Sequence, residues 1–216
     1  MPEPGTPVGG AAKRAFDVAV ALPLAIVTAP LALAIAVWVR RDSRGSALFR
    51  QTRVGLAGRP FRLLKFRTMV VGAERMGSGL RVEQDDARIT RAGRILRATS
   101  LDELPQLWNV LVGDMSLVGP RPTVPAQVEH YDARQRRRLL ARPGVTGLAQ
   151  VRGRNAIPWS ERIEIDLEYV DGWTMRSDLR IIGRTALVVL SGRDAYRRGS
   201  RAFDLPQRRV ERERGG

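Results

Sequence analysis

Apolar and polar positions along the chain fall into blocks of different period. Val18 to Val39 is a 22-residue run without a charged side chain, bracketed by Lys13-Arg14 and Arg40-Arg41. A straight helix of that length covers roughly 33 Å, enough for a bilayer core. The run is too long for a signal-peptide core, and cations follow it directly. Pro23 and Pro30 lie inside it, and each removes a backbone donor. Pro30 leaves pieces of about 12 and 9 residues, neither able to cross alone. Cations on both flanks favour keeping both ends on the cytoplasmic side. A re-entrant, Pro-broken helix and a tilted, Pro-kinked spanning helix both satisfy this pattern, and a buried soluble helix is the third reading.

Beyond the run, Ala47 to Val54 and Pro60 to Met69 are short extended stretches around Gly55 and Gly58, which predicts a β-hairpin. Residues 70 to 90 are polar and irregular. From Thr90 the pattern is helical, broken at Gly113-Asp114 and at Gly119-Pro120-Arg121-Pro122. A polar helix is predicted over 124–141, ending before Pro143-Gly144. Ile163, Ile165, Leu167 and Tyr169 alternate as in a strand, while Ile163, Leu167 and Val170 fit a helix, so periodicity leaves that element open. Ile181 to Leu190 reads as a core or an interfacial helix. The fold class is α+β, mainly helical, with a small hairpin. The expected organisation is a disordered stretch 1–12, a membrane helix 13–41, a cytoplasmic region 42–193 and a basic, disordered tail 194–216.

Composition narrows the chemistry. The 216 residues include 37 Lys+Arg and 22 Asp+Glu, for a formal net charge of +15. All the basic residues except Lys13 and Lys65 are arginine, which fits either a GC-rich coding bias or contact with polyanions. There is no cysteine, and His130 is the single histidine. Disulfide scaffolds, thiolate nucleophiles and sulfur-ligated metals are thereby excluded, and His-based triads and metal sites are disfavoured. Chemistry falls to carboxylates, hydroxyls and cations.

The stretch Ser100-Leu101-Asp102-Glu103-Leu104-Pro105-Gln106 is the strongest candidate. Ser100 and Glu103 have capping-box spacing, and Asp102 could equally cap a helix with Pro105 in its first turn. Surrounding cations add a second meaning. Lys65 and Arg67 close the hairpin, Arg94 and Arg97 precede the acids, and Arg121 stands between two prolines. Adjacent acids among cations suit phosphoryl chemistry, where a carboxylate attacking a phosphoanhydride needs its charge repulsion offset. One acid could face phosphorus while the other binds Mg²⁺, which takes oxygen ligands and requires neither His nor Cys.

Lys13-Arg14-Ala15-Phe16-Asp17, Lys65-Phe66-Arg67-Thr68-Met69, Thr99 to Leu111, Gly113 to Pro122 and Pro143 to Asn155 together resemble the bacterial sugar transferases. These are polyprenyl-phosphate sugar-1-phosphate transferases, or monotopic phosphoglycosyl transferases. The resemblance runs in order from about residue 13 to 193. It implies transfer of a sugar 1-phosphate from a UDP-sugar to membrane polyprenyl (undecaprenyl) phosphate, with release of UMP. By the same resemblance, Asp102 is the nucleophile that forms a covalent phosphosugar intermediate and Glu103 binds Mg²⁺. Lys65, Arg97, Arg121 and Arg154 handle phosphate, and Asp178 matches a later acidic position of the site. Arg67 joins this candidate phosphate-binding set.

The resemblance also implies a re-entrant helix broken at Pro30, with Pro23 as an additional breaker. Ala29 stands where the family has Ser, which removes a hydroxyl-to-backbone bond at the break, and Arg152 stands where Asn is usual. Expected partners are a UDP-sugar, polyprenyl phosphate and the cytoplasmic leaflet of a bacterial inner membrane. A homo-oligomer is compatible with the sequence, and nucleic acid is not expected. Two alternatives carry distinct signatures: a membrane-surface glycosyltransferase would release UDP, and a non-enzymatic Arg-rich binder of anionic lipid or nucleic acid would not need the Asp-Glu pair. His130 reads as a surface residue and Trp108 as core packing, while Trp159 and Trp173 read as core or interfacial.

Overall fold

The computed structural model describes residues 7–76, 86–153 and 157–190. Arg154 and the tail 194–216 lie outside the described residues. The first element, α1 (Gly10–Asp42), is a 33-residue helix, long and apolar enough to cross a membrane. It starts before residue 13, and Val8 ahead of it is already buried in the core. The helix runs unbroken through Pro23 and Pro30, so the break expected at Pro30 is not seen. Each proline deletes one bond, to the carbonyl four residues earlier, and leaves the rest of the ladder intact. Ala29 offers no hydroxyl at that position, and the neighbouring Thr28 hydroxyl donates to the Leu24 carbonyl at 2.7 Å.

One stripe of α1 faces the protein. Ala21 and Ala25 pack against a core containing Val110, Met115, Val118 and Tyr169. After Pro30, Ala32, Ile35 and Val39 pack against Phe66, Ala92 and Leu96. These positions recur at helical spacing, and small residues let the helix approach closely. Leu22, Leu24, Ile26, Val27, Leu31, Leu33 and Val37 are exposed. Both halves of the helix therefore rest on the same body while their outer surface stays apolar.

The hairpin forms as predicted: β1 (Leu48–Val54) pairs antiparallel with β2 (Pro60–Phe66), Leu48 opposite Phe66 and Val54 opposite Pro60. Next, α2 (Arg91–Thr99) is capped by Thr90, whose hydroxyl accepts from the Gly93 amide. A single 3₁₀ turn, Leu101–Glu103, leads to α3 (Gln106–Val112). Two short strands, β3 (Ser116–Val118) and β4 (Gly144–Thr146), form a parallel pair that the sequence did not foretell. In place of a helix over 124–141 there are α4 (Pro125–Val128) and a 3₁₀ segment, Gln135–Leu140. Asp132 divides them: its carboxylate accepts from the Gln135 amide at 2.7 Å and restarts the chain as a cap would. After α5 (Leu148–Arg152), the ambiguous acidic stretch resolves as helix α6 (Trp159–Asp171), which buries Ile163, Asp166, Leu167, Tyr169 and Val170. The last element, α7 (Met175–Leu190), buries Ile181 and exposes Leu179 and Leu187.

Candidate active site

The acid pair sits on the 3₁₀ turn between α2 and α3. Ser100, directly before it, takes left-handed angles (φ 59°, ψ 14°) and ends α2. Neither expected cap forms, because Ser100 makes no side-chain cap bond and the Glu103 amide instead donates to the Ser100 carbonyl at 3.2 Å. That tight turn brings both carboxylates to the end of β2. Lys65 Nζ lies 2.7 Å from Glu103 Oε1 and 3.8 Å from Asp102 Oδ2. Arg121 Nη2 reaches the same Glu103 oxygen at 2.8 Å. Arg97, on the last turn of α2, acts electrostatically on Asp102.

The two acids are tuned apart. Asp102 is 9% exposed, and burial pushes its carboxyl above the ordinary value, with Lys65 opposing and Glu103 adding to the rise. Burial also works against ionisation of Glu103, but Arg121 and Lys65 outweigh it and hold that carboxyl far below the usual range. A basic carboxylate beside a permanently ionised one divides two roles between two acids.

Backbone geometry supports this arrangement. Asn109 of α3, buried, accepts from the Leu64 amide at 3.0 Å and donates to the Arg62 carbonyl at 2.8 Å, which fixes α3 against the strand carrying Lys65. A polar residue amid Leu107, Trp108, Val110 and Leu111 was its sequence signal. Gly119 and Gly144 abut where the Arg121 loop leaves β3: a Cβ on Gly144 would lie 2.1 Å from the Gly119 nitrogen. Only glycine permits that approach.

Two expected site residues are held elsewhere. Arg67 is buried and donates to the carbonyls of Val39, Ser43 and Arg44, closing the C-terminus of α1. Asp178 is 0% exposed and accepts from Lys13 at 2.5 Å, Tyr169 at 2.8 Å and Trp173 at 3.1 Å. Its helical register turns it inward, towards α1 and α6, and no bond joins it to the acid pair. Neighbouring Arg14 donates to the carbonyls of Val110 and Leu111 at the end of α3, and Asp17 accepts from Ser116 and Leu117. Lys13-Arg14, read from sequence as topology determinants, are thus bonded within the protein. Pro23 and Pro30 stay on the exposed side of α1. Arg152 pairs with Glu168 on the surface. Trp108 is 61% exposed instead of buried, since α3 turns Leu107 and Val110 inward. Trp173 joins the Asp178 network, and Trp159 lies beneath Arg138 and Arg162.

Paired carboxylates of unlike basicity, pinned among cations on a body that carries an exposed apolar helix, make a candidate of one class: a site suited to phosphate chemistry on a membrane-associated protein. The chain belongs to the bacterial sugar transferase family, whose sequence profile it matches over residues 8–192. It is 47% identical over 192 residues to the UDP-glucose:undecaprenyl-phosphate glucose-1-phosphate transferase of Caulobacter vibrioides, covering 85% of this chain and 72% of that one. It is 39% identical over 204 residues to the exopolysaccharide production protein ExoY of Sinorhizobium fredii, covering 88% and 90%. The undecaprenyl-phosphate galactose phosphotransferase of Salmonella typhimurium is 42% identical over 198 residues, covering 85% of this chain and 41% of that protein.

Proposed function

We propose that this enzyme transfers a sugar 1-phosphate from a UDP-sugar to polyprenyl phosphate, the first step of a polysaccharide or glycoconjugate pathway. The observation that carries the reading is the division of labour at the acid pair. Glu103 is held ionised by two cations on one oxygen, and the more basic Asp102 stands beside it. In the first step an Asp102 carboxylate oxygen bonds to the phosphorus that carries the sugar. The bond from that phosphorus to the bridging oxygen breaks, and UMP leaves. In the second, an oxygen of polyprenyl phosphate attacks the same phosphorus and releases Asp102. Lys65, Arg97 and Arg121 offset the charge that accumulates as anions meet.

The donor set suits Mg²⁺. Both cation contacts to Glu103 fall on Oε1, which leaves Oε2 as an acceptor, and Asp102 adds a second carboxylate. No third acid or histidine completes a metal cluster among the described residues. Mg²⁺ commonly takes one or two carboxylates and completes its shell with phosphate oxygens and water. Glu103 would hold the ion, which supplies charge neutralisation on the diphosphate when bound.

The packing of both halves of α1 on one body supports a helix held at a single, cytoplasmic leaflet, with its apolar outer face towards the lipid. Such anchoring would keep the acid pair near the headgroups, where the lipid phosphate resides. The test uses purified protein and a UDP-sugar labelled in the sugar-bearing phosphate. Label should become bound to wild type but not to Asp102→Asn, with UMP as the nucleotide product. Full turnover by Asp102→Asn, or release of UDP, would overturn the reading.

A further inference from the structure

Beneath the Pro120-Arg121-Pro122 loop lies a buried cation that touches neither acid of the pair. Arg138 is 2% exposed and its partner Asp166 1%. Arg138 Nη2 donates to Asp166 Oδ2 at 2.5 Å and to the backbone carbonyl of Arg121 at 3.0 Å. Its Nη1 donates to the Tyr131 hydroxyl at 2.6 Å and lies 3.5 Å from the Thr123 hydroxyl. The guanidinium also stands 5.7 Å from the ring centres of Tyr131 and Trp159.

Stability is a poor account of this residue. Buried ion pairs replaced by apolar residues of similar volume are often neutral or better. Arg138 Nε is moreover buried without a partner among the described residues. A planar guanidinium does offer something that a methionine or lysine does not: a rigid fork that meets a loop carbonyl, a hydroxyl and a carboxylate together.

The loop is fixed one carbonyl at a time. Pro120 accepts from the Gly144 amide at 2.9 Å and Thr123 from the Val54 amide at 2.9 Å. Between them, Arg121 accepts from Arg138, and Pro122 accepts from Arg53 Nη1 at 3.1 Å. Backbone bonds thus hold the outer two carbonyls, and side chains hold the inner two. The peptide that carries Arg121 is the one held by Arg138.

We infer that Arg138, oriented by Asp166, is a positioning residue for Arg121. It sets the peptide from which the Arg121 guanidinium extends to Glu103. This rests on the proposed reading that Arg121 and Glu103 serve the transfer. Misplacement of a reacting group by about 1 Å can cost on the order of 10²-fold in rate, so a restraint on the backbone of the residue that reaches Glu103 is enough to matter.

Turnover kinetics and melting temperatures of the full-length protein in lipid nanodiscs test it. Arg138→Met/Asp166→Leu removes both buried charges, so it should melt near wild type. Its kcat should nevertheless fall about tenfold with little change in KM. Arg138→Lys, which keeps a charge beside Asp166 but loses the fork, should show the same kcat loss and guards against misfolding of the double variant. In an Arg121→Lys background, itself impaired, either change should cost less than about twofold, because the restrained group is already altered. Wild-type kcat in a folded Arg138 variant, or an undiminished tenfold loss in the Arg121→Lys background, overturns the inference. Full activity of Arg121→Lys and Arg121→Ala overturns the reading of the site, and the inference with it.

Discussion

The Cβ that Gly93 lacks would fall 2.0 Å from the carbonyl oxygen of Thr68. Helix α2 thus meets the end of the hairpin strand backbone to backbone, with no side chain between them to yield. Gly93→Ala must shift α2, and Arg97 with it. Overpacking of this kind costs about 1–3 kcal/mol, and a backbone obstacle places it at the upper end. Gly183 is the control: it lies exposed within α7 with nothing within 4 Å of its missing Cβ. Gly183→Ala should stabilise by about 0.5–1 kcal/mol through helix propensity. Thermal unfolding of both variants would show opposite signs, and equal effects would refute the account.

Ser100 bears backbone strain two residues before the nucleophile candidate. A non-glycine residue in the left-handed region costs about 1–2 kcal/mol. Ser100→Gly should therefore hold or raise the melting temperature. Ser100→Val should lower it and reduce kcat at the same time, because relief of the strain moves the turn that carries Asp102. Retained activity in Ser100→Val would show that the turn does not place the acid.

Lys13 and Asp178 form a buried pair across 165 residues of sequence. Lys13→Met should destabilise by about 3–5 kcal/mol, since Asp178 would remain buried without its cation. Lys13→Met/Asp178→Asn should regain much of that loss, because Asn can still accept from Tyr169 or Trp173. Denaturant unfolding of the single and double variants measures the difference, and simple additivity would contradict the pairing.

The Arg138–Asp166 pair has a pH signature. Burial pushes the Asp166 carboxyl up, and Arg138, with Arg162 assisting, opposes the rise. Tyr131, Thr123 and Trp159 complete the surroundings of Arg138. The raised carboxyl makes the folded protein hold its proton to higher pH than the unfolded chain, so stability falls as pH rises between the two values. Arg138→Met removes the main opposing charge and extends that loss upwards. Its melting temperature should approach wild type near pH 5 and fall behind by pH 8. A deficit constant across that range would count against it.

What the sequence made legible was local or carried by motif. The hairpin showed in its glycines, and the Asp102–Glu103 pair showed in its neighbours. The long apolar run showed in its length, though its continuity did not: two prolines read as breaks where packing along α1 holds both halves of one helix on the same body. Long-range partners were beyond reach. Nothing in Arg136-Arg137-Arg138 marks the third arginine as the buried one, and Asp178, matched to a later acidic position of the site, is turned by its register towards Lys13. Trp108 shows the same limit, since its face depends on where α3 begins.

The stapling of α1 bears on how a water-soluble form of the enzyme could be obtained. Removing the helix would strip Ala21, Ile35 and Val39 from two cores, leave Asp178 uncompensated, and uncap the end of α3 that Arg14 holds. A truncated chain would thus lose the scaffold of the acid pair along with the apolar helix. The productive route is to repaint the helix in place. Polar residues at Leu22, Leu24, Ile26, Val27, Leu31 and Leu33 alter only the outward face and leave the inward stripe untouched. The segment that offers an apolar face on one side is, on the other, a wall of the candidate site's foundation.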